Sequence, residues 1–205
     1  MGKTFIEFLE PYEREFSRKI KKKGLTITVS GLSGAGKSLG ARAIAKEFNL
    51  NYVSAGKILR DEAERRGISL EKFCEIREPE IDYAMDIRSL KLAIEGNVVL
   101  DARLSGWVAG KWADAKVFFD CSLDIRAERV AKRDKISVEE AKKRLKKRDE
   151  VDHEKYKKLY GIDSYDKSIY DIVIDNDNLR KEEVKRLSIM LVKKHLRRIQ
   201  ERDIL

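Results

Sequence analysis

The run Gly31-Leu32-Ser33-Gly34-Ala35-Gly36-Lys37-Ser38, with Leu39 opening the segment after it, has the residue types and spacing to wrap a polyphosphate. Its glycines remove side chains, so successive backbone N–H groups can turn into one concavity around anionic oxygens. Lys37 can then reach the β- and γ-phosphates of a nucleoside triphosphate, and the Ser38 hydroxyl can ligate Mg²⁺. The flanks separate this run from a chance glycine-rich turn. Leu25-Thr26-Ile27-Thr28-Val29 before it is β-branched and reads as a buried strand. Leu39–Phe48 after it repeats Ala41, Ile44, Ala45 and Phe48 at helical spacing. Strand, glycine loop and helix in that order aim a helix N-terminus at the phosphates.

Phosphoryl transfer needs positioning, Mg²⁺ and positive charge more than covalent help, so arginines from several segments should converge on one place. Three segments supply them. In Ser54-Ala55-Gly56-Lys57-Ile58-Leu59-Arg60, Gly56 permits close backbone approach and Arg60 can fork onto an acceptor phosphate; an ordinary helix start with an exposed arginine fits this segment equally well. The apolar run Val98–Asp101 ends in a carboxylate suited to a water-mediated Mg²⁺ contact, and Arg103 follows on the same rim. Farther on, Arg126, Arg129 and Arg133 recur at helical intervals, with Arg144 and Arg148 as a second pair. Of these, Arg129, Arg133 and Arg148 are the preferred contacts to a transferred group, while most lysines around them read as solvated. Asp82 and Arg88 stand equally as acceptor contacts or surface groups, and Trp107 and Trp112 as packing rather than base-stacking residues.

The elements that must carry these groups can be read from periodicity. Five apolar runs, Leu25–Val29, Asn51–Val53, Val98–Asp101, Val117–Asp120 and Ile172–Asp175, read as strands separated by helical patterns, which implies a parallel, doubly wound sheet. Helical patterns Gly56–Arg66, Ser69–Ile76 and Pro79–Glu95 fill the first long gap, and Ser122–Ser168 fills a second; Glu182–Glu201 closes the chain. Phe5, Phe8, Tyr12, Phe16 and Ile20 mark a leading amphipathic helix, which Pro11 should kink or divide and Gly24 should cap. A helix packed on the domain's own surface is favoured there over a docking arm.

Composition sets the outer limits. A chain of 205 residues suits one compact domain, and its formal charge of +9 suits an anionic partner. The sequence shows no interleaved aromatic and basic pattern of an RNA-reading module, so nucleic acid ranks behind a small nucleotide. Cys74 and Cys121 stand apart with no C-x-x-C, which argues against a disulfide framework or zinc site and for a reducing cytoplasm. No apolar run approaches the ~20 residues of a membrane span, and the first residues lack the apolar core of a signal peptide.

The segments SAGKILR, Pro79–Asp82 (PEID), RLSGW, Ile136–Ala141 (ISVEEA), Tyr160–Asp163 (YGID) and Ser168–Asp175 (SIYDIVID) together resemble the archaeal type of cytidylate kinase, from about Leu25 to Asp175. The resemblance implies a three-layer αβα P-loop kinase with a five-stranded parallel sheet, plus an extra N-terminal helix. Residues 1–24 would be the extension and 25–205 the kinase domain, with a monophosphate-binding insert over about 56–95 and a lid over about 129–160. It implies transfer of the ATP γ-phosphate to CMP or dCMP with Mg²⁺, by a monomer in the cytoplasm. Ser54, Gly56, Arg60 and Arg103 would hold the acceptor; Lys37, Arg129, Arg133 and Arg148 would act on the transferred group; Ser38 and Asp101 would serve the metal. The chain departs from the family pattern at Lys57, where an acid is common, at Ala102 within Asp101-Ala102-Arg103, and in the arginine-poor stretch Asp152–Tyr156. The leading helix lies outside the pattern. Two alternatives stay open: another acceptor (UMP, AMP or a small metabolite), or an RNA- or ribosome-associated ATPase.

Overall fold

The computed structural model describes residues 4–202. Five strands, β1 (Thr26–Gly31), β2 (Asn51–Ser54), β3 (Val98–Asp101), β4 (Ala115–Asp120) and β5 (Ile172–Asp175), form one parallel sheet in the order β2-β3-β1-β4-β5. Parallel pairing puts all five C-terminal ends on one edge, where ligands of open α/β sheets bind. Register fixes which residues meet there: Asp101 lies level with Val29 and Ser54, and Gly31 with Phe119.

The two faces of β1 differ in chemistry. Ile27 and Val29 point into the main core with Ala41, Ile44, Val117, Phe119 and Val192, beneath α2 (Lys37–Glu47) and the closing helix α9 (Lys181–Arg202). The opposite face is hydroxylic. The Thr26 hydroxyl donates to the Ala93 carbonyl of α5 (Pro79–Glu95), and the Ser30 and Ser105 hydroxyls meet at the start of α6 (Ser105–Ala109). Small polar residues let these helices approach the sheet closely with Thr26, Ser30 and Ser105 hydrogen-bonded, while Thr28 Oγ1 between them is buried with no hydrogen-bond partner among the described residues.

Between β2 and β3 lie α3 (Ala55–Arg65), α4 (Leu70–Ile76) and α5; between β4 and β5 lie α7 (Leu123–Asp134) and the long α8 (Val138–Tyr160). Serine hydroxyls cap α3, α4, α7 and α8, at Ser54, Ser69, Ser122 and Ser137. A capping box at Thr4 and Glu7 starts α1 (Phe5–Lys19).

The leading segment corrects two expectations. Pro11 does not divide it: α1 runs through as one helix, because Phe5 and Leu9 are buried and Phe8, Tyr12 and Phe16 pack into the same cluster with Leu90, Ile94 and Tyr160. That packing outweighs the one backbone hydrogen bond proline cannot donate. Gly24 does not cap the helix. Ile20 ends it in an extended conformation, and Gly24, at φ +92°, packs against Asn97 farther on. Lys22 is drawn off to the carboxylate of Asp114 at 2.7 Å. Strand β1 also runs two residues past Val29, since Ser30 and Gly31 still pair with Phe118 and Phe119.

At Gly40, where α2 crosses β4 and α9, an added Cβ would stand 2.2 Å from Phe119 Cζ and 2.9 Å from Ser188 Oγ. Both neighbours are fully buried. Gly40→Ala should therefore cost about 1–3 kcal/mol by overpacking, read as a lower urea midpoint with an unchanged slope.

Candidate functional site

The glycine loop joins β1 to α2 at the sheet's C-terminal edge. Gly31 must be glycine: its φ is +138°, and a Cβ there would lie 2.4 Å from the Phe119 carbonyl oxygen. Gly36, at φ +85°, takes the N-cap of α2 with no side-chain cap, and no acid stands in the first turn. The first N–H groups of α2 and its positive dipole end are thus left for an anionic ligand.

Lys37 lies half-buried in the first turn and donates to the Leu32 carbonyl at 2.7 Å. Burial pushes its pKa down to about 8; Asp101 opposes the shift, while Arg103 and Arg148 add to it. Asp101 is the focus of a hydroxyl cluster. Its Oδ2 accepts from Ser38 at 2.6 Å, from Tyr52 at 2.7 Å and from Ser54 at 3.3 Å. A hydroxyl and a carboxylate this close form a hard oxygen donor set, which fits Mg²⁺ held by Ser38 with Asp101 behind it.

The cavity beside the loop has a volume of about 440 Å³ and opens between the sheet edge, α3, α5, α7 and α8. Among the expected site residues, Ser33, Gly34, Gly36, Lys37, Ser38, Leu39, Ser54, Gly56, Arg60, Asp101, Arg103, Arg129, Arg133 and Arg148 all line it. Gly31, Leu32 and Ala35 do not; they shape the loop from behind, Ala35 buried and its carbonyl accepting from Asn176 at 2.7 Å.

The arginines divide by partner. Arg60 makes no ion pair among the described residues, and its pKa is pressed down by burial and then by Arg133 and Arg148, against the pull of Asp101. A guanidinium held near two others without a carboxylate of its own is a ready anion receptor. Arg148 keeps its Nε buried with no hydrogen-bond partner, 3.7 Å from Asp152. Arg133 is largely exposed and forks onto Asp134 next to it, at 2.6 and 2.8 Å. Arg129 is fastened at the end of β5, donating to Asn176 Oδ1 at 2.7 Å and to the Asn176 carbonyl at 2.8 Å.

Arg103 is more committed than its sequence context implies. It donates to Ser33 Oγ at 2.9 Å and Asp149 at 2.8 Å, and pairs with Asp152 at 3.1 Å. Burial works against its charge, but Asp152 and Asp149 outweigh that and raise its pKa. Its Nε and Nη1 still have no hydrogen-bond partner of good geometry. Asp149 also accepts from Arg126 at 2.7 Å, and Arg126 reaches back to the Ser33 carbonyl at 3.1 Å. Arg126, named in the arginine row but not among its preferred contacts, is thus drawn into the site, and Asp149, Asp152 and Asn176 are site residues that pattern reading missed. Their signal lies in tertiary pairing, and nothing local distinguishes them. Asp82 is buried and tied to Arg77 and Lys155; Arg88 is exposed outside this cavity; Trp107 and Trp112 pack with α1.

With this geometry in view, the comparisons with known proteins fall into place. The family model of the cytidylate kinase-like family matches residues 26–178. The chain is 46% identical over 165 residues to a cytidylate kinase from Pyrococcus horikoshii, covering 80% of this chain and 85% of that protein. It is 40% identical over 170 residues to a cytidylate kinase from Methanopyrus kandleri, covering 78% of this chain and 88% of that protein. Among solved structures, a gluconokinase from Sinorhizobium meliloti shares the fold at TM-score 0.59 and 18% identity, over 89% of this chain and 99% of that one. So does a shikimate kinase from Acinetobacter baumannii, at TM-score 0.53 and 15% identity, over 94% and 99%.

The lowered pKa of Lys37 sets a pH dependence for nucleotide binding. Phosphates favour the ammonium and raise its pKa in the complex, so binding above the free value near 8 must take up a proton. The dissociation constant for Mg·ATP should be flat from pH 7 to 8 and then rise, by up to about tenfold per pH unit, with proton uptake seen by calorimetry in two buffers. Lys37→Arg, which does not titrate there, should give a flat profile; a flat wild-type profile to pH 9.5 would contradict the buried-lysine reading.

Proposed function

Because the chain belongs to the cytidylate kinase-like family, we propose that it transfers the γ-phosphoryl group of ATP to CMP or dCMP, giving ADP and CDP or dCDP. The observation that carries the proposal is a single cavity with an uncapped phosphate loop on one wall and, on another, Arg60, which has no ion pair among the described residues. One holds a donor triphosphate and the other an acceptor monophosphate.

The chemistry asks little of a base. The nucleophile is an oxygen of the acceptor phosphate, already ionised near neutral pH, so no side chain needs to remove a proton. The γ-phosphorus–oxygen bond to ADP breaks as the bond to the acceptor oxygen forms in line, without a phosphoenzyme. The loop N–H groups and Lys37 hold the β- and γ-phosphates. Arg60, with Ser54, Gly56 and Arg103 around it, orients the acceptor phosphate, while Arg129, Arg133 and Arg148 neutralise charge on the group in flight. Mg²⁺, held by Ser38 and backed by Asp101, supplies further charge neutralisation at the triphosphate.

In this scheme residues 56–95 are the acceptor-binding insert and 129–160 the lid of a kinase domain spanning 25–205, with 1–24 as an extension. Asp149 ties α8 to Arg103 and Arg126, both bonded to Ser33, so the lid covers the triphosphate and keeps water from accepting the phosphoryl group. This reading takes the enzyme to be a monomer. Two buried, unpaired cysteines suit a reducing cytoplasm, and among the described residues no helix is long and apolar enough to cross a membrane.

The test is ADP formation from Mg·ATP with CMP, dCMP, UMP, AMP or no acceptor. Turnover confined to CMP and dCMP is expected; slow turnover that ignores acceptors and rises with RNA would overturn the proposal. Lys37→Ala should lower kcat by at least about 10³. Arg60→Ala should raise the acceptor KM by about 10- to 100-fold, the worth of a charged hydrogen bond, and leave the ATP KM within about threefold. Equal effects on both substrates would remove Arg60 from the acceptor site.

A further inference from the structure

The cavity has an acidic end that the phosphates do not use. On the α5 wall, Asp82 and Asp86 stand one helical turn apart, and both line the cavity with Met85 between them. They differ in what already satisfies them. Asp82 pairs with the Arg77 guanidinium at 2.9 Å and with Lys155 at 3.2 Å, and is spoken for. Asp86 has no cation within ion-pair reach among the described residues. Among the described residues its one side-chain bond is on Oδ2, which accepts from the Tyr160 hydroxyl at 2.6 Å, and Oδ1 has no donor there.

We propose that Asp86 is the residue that reads the base of the acceptor nucleotide, taking the exocyclic N–H of cytosine on Oδ1 while Tyr160 holds Oδ2. The proposal rests on the kinase reading above and names its selectivity device. Phosphate is repelled from a carboxylate wall, so the neutral part of the acceptor must lie there. Met85 and Tyr156 also line the cavity and offer the flat apolar surfaces a pyrimidine ring needs. Cytosine presents a donor, N4–H₂, where uracil presents the acceptor O4; a carboxylate whose second oxygen is engaged accepts from the first and repels the second. Burial, opposed by the Tyr160 hydrogen bond and reinforced by Asp82, raises the Asp86 pKa to about 7, and an N4–H donor on Oδ1 would draw the group back to the carboxylate on which the discrimination depends.

Tyr160 is itself held from outside the family pattern. It is buried, with Phe5 of α1 edge-on at a centroid distance of 4.5 Å and Phe8 at 5.8 Å. The leading helix therefore has a positioning role: it seats Tyr160, which aims Asp86.

The experiment measures kcat/KM for CMP, dCMP and UMP, together with the ATP KM and thermal midpoint, for wild type, Asp86→Asn and Tyr160→Phe. Asp86→Asn, whose amide can donate to O4, should lower the CMP-over-UMP ratio by at least about tenfold with the ATP KM unchanged. Tyr160→Phe, which keeps the carboxylate and frees Oδ2, should lower it by about threefold. If Asp86→Asn lowers CMP and UMP turnover equally, the carboxylate serves the sugar or the fold, and the inference fails while the kinase reading stands. If Asp86→Asn does not fold, the unaltered ratio or its loss in Tyr160→Phe decides. If wild type phosphorylates none of the three, the kinase reading itself has failed.

Discussion

A chain of buried charges joins the parts of this molecule that have to meet. Arg126 of α7 pairs with Asp149 of α8; Asp149 pairs with Arg103 beyond β3; Arg103 pairs with Asp152, Asp152 with Arg77, Arg77 with Asp82 of α5, and Asp82 with Lys155 back on α8. No side chain in the chain is more than 15% exposed. Such a network adds little to net stability over a hydrophobic alternative, but removing one partner strands a desolvated charge at a cost of about 3–5 kcal/mol. It therefore works as a register. The apolar contacts between α7 and α8 join three alanines (Ala127, Ala131, Ala141) with Val130, Leu145, Leu123 and Ile136, and that packing brings the two helices together. The carboxylates on α8 set its register. They also leave positive charge in excess, since Arg148 leans on an Asp152 already shared by Arg77 and Arg103. The surplus faces the cavity, where a substrate phosphate would complete it.

That network explains the uneven legibility of the sequence. The phosphate loop and the order of strands and helices were readable because each depends on local spacing, and the convergence of Asp101 and Ser38 because parallel strands end on one edge of the sheet. Strands β3 and β5 and helix α5 fall on the residues that periodicity marks, Val98–Asp101, Ile172–Asp175 and Pro79–Glu95. Asp149 and Asp152 were not readable, because they lie in a helix dense with lysine and arginine whose composition is that of a solvated surface. Only the fold reveals that one side of α8 is buried against three other segments. Asn176 escaped for a similar reason: an asparagine after a strand looks like a turn former, yet its amide joins Arg129 to the phosphate loop. Pro11 shows the reverse case: of the two outcomes its local rule allows, a second helical segment does not occur, because the aromatic packing of α1 carries one helix through it.

The leading helix changes what the family pattern alone describes. The matched region begins at residue 26, so α1 lies outside it, and it packs on two helices that line the cavity, α5 and the end of α8. Phe8 lies 4.7 Å from Tyr83 of α5 and 5.8 Å from Tyr160 of α8, and Trp112 donates to Glu13. One apolar face thus closes the back of the site, and the polar face of α1 stays in solvent. Positive charge at Arg18 and Lys19, in the last turn, suits the helix dipole.

Helix α8 then links both ends of the cavity on one rigid element. It is a single helix of 23 residues, from Val138 to Tyr160, about 35 Å long at 1.5 Å per residue. Arg148 and Tyr156 both line the cavity, eight residues and so about 12 Å apart along its axis. An unbroken helix cannot shorten or lengthen that interval, so the spacing between a cationic and an aromatic lining group is set by the backbone itself. The left-handed residues stand outside it, Lys135 at φ +57° before and Gly161 at φ +69° after. The ion pairs of Asp149 and Asp152 sit between them, near the middle of the helix, and tie it to Arg126, Arg103 and Arg77. Several of these pairs would have to break together for α8 to slide or turn, so its position is held as a unit rather than contact by contact.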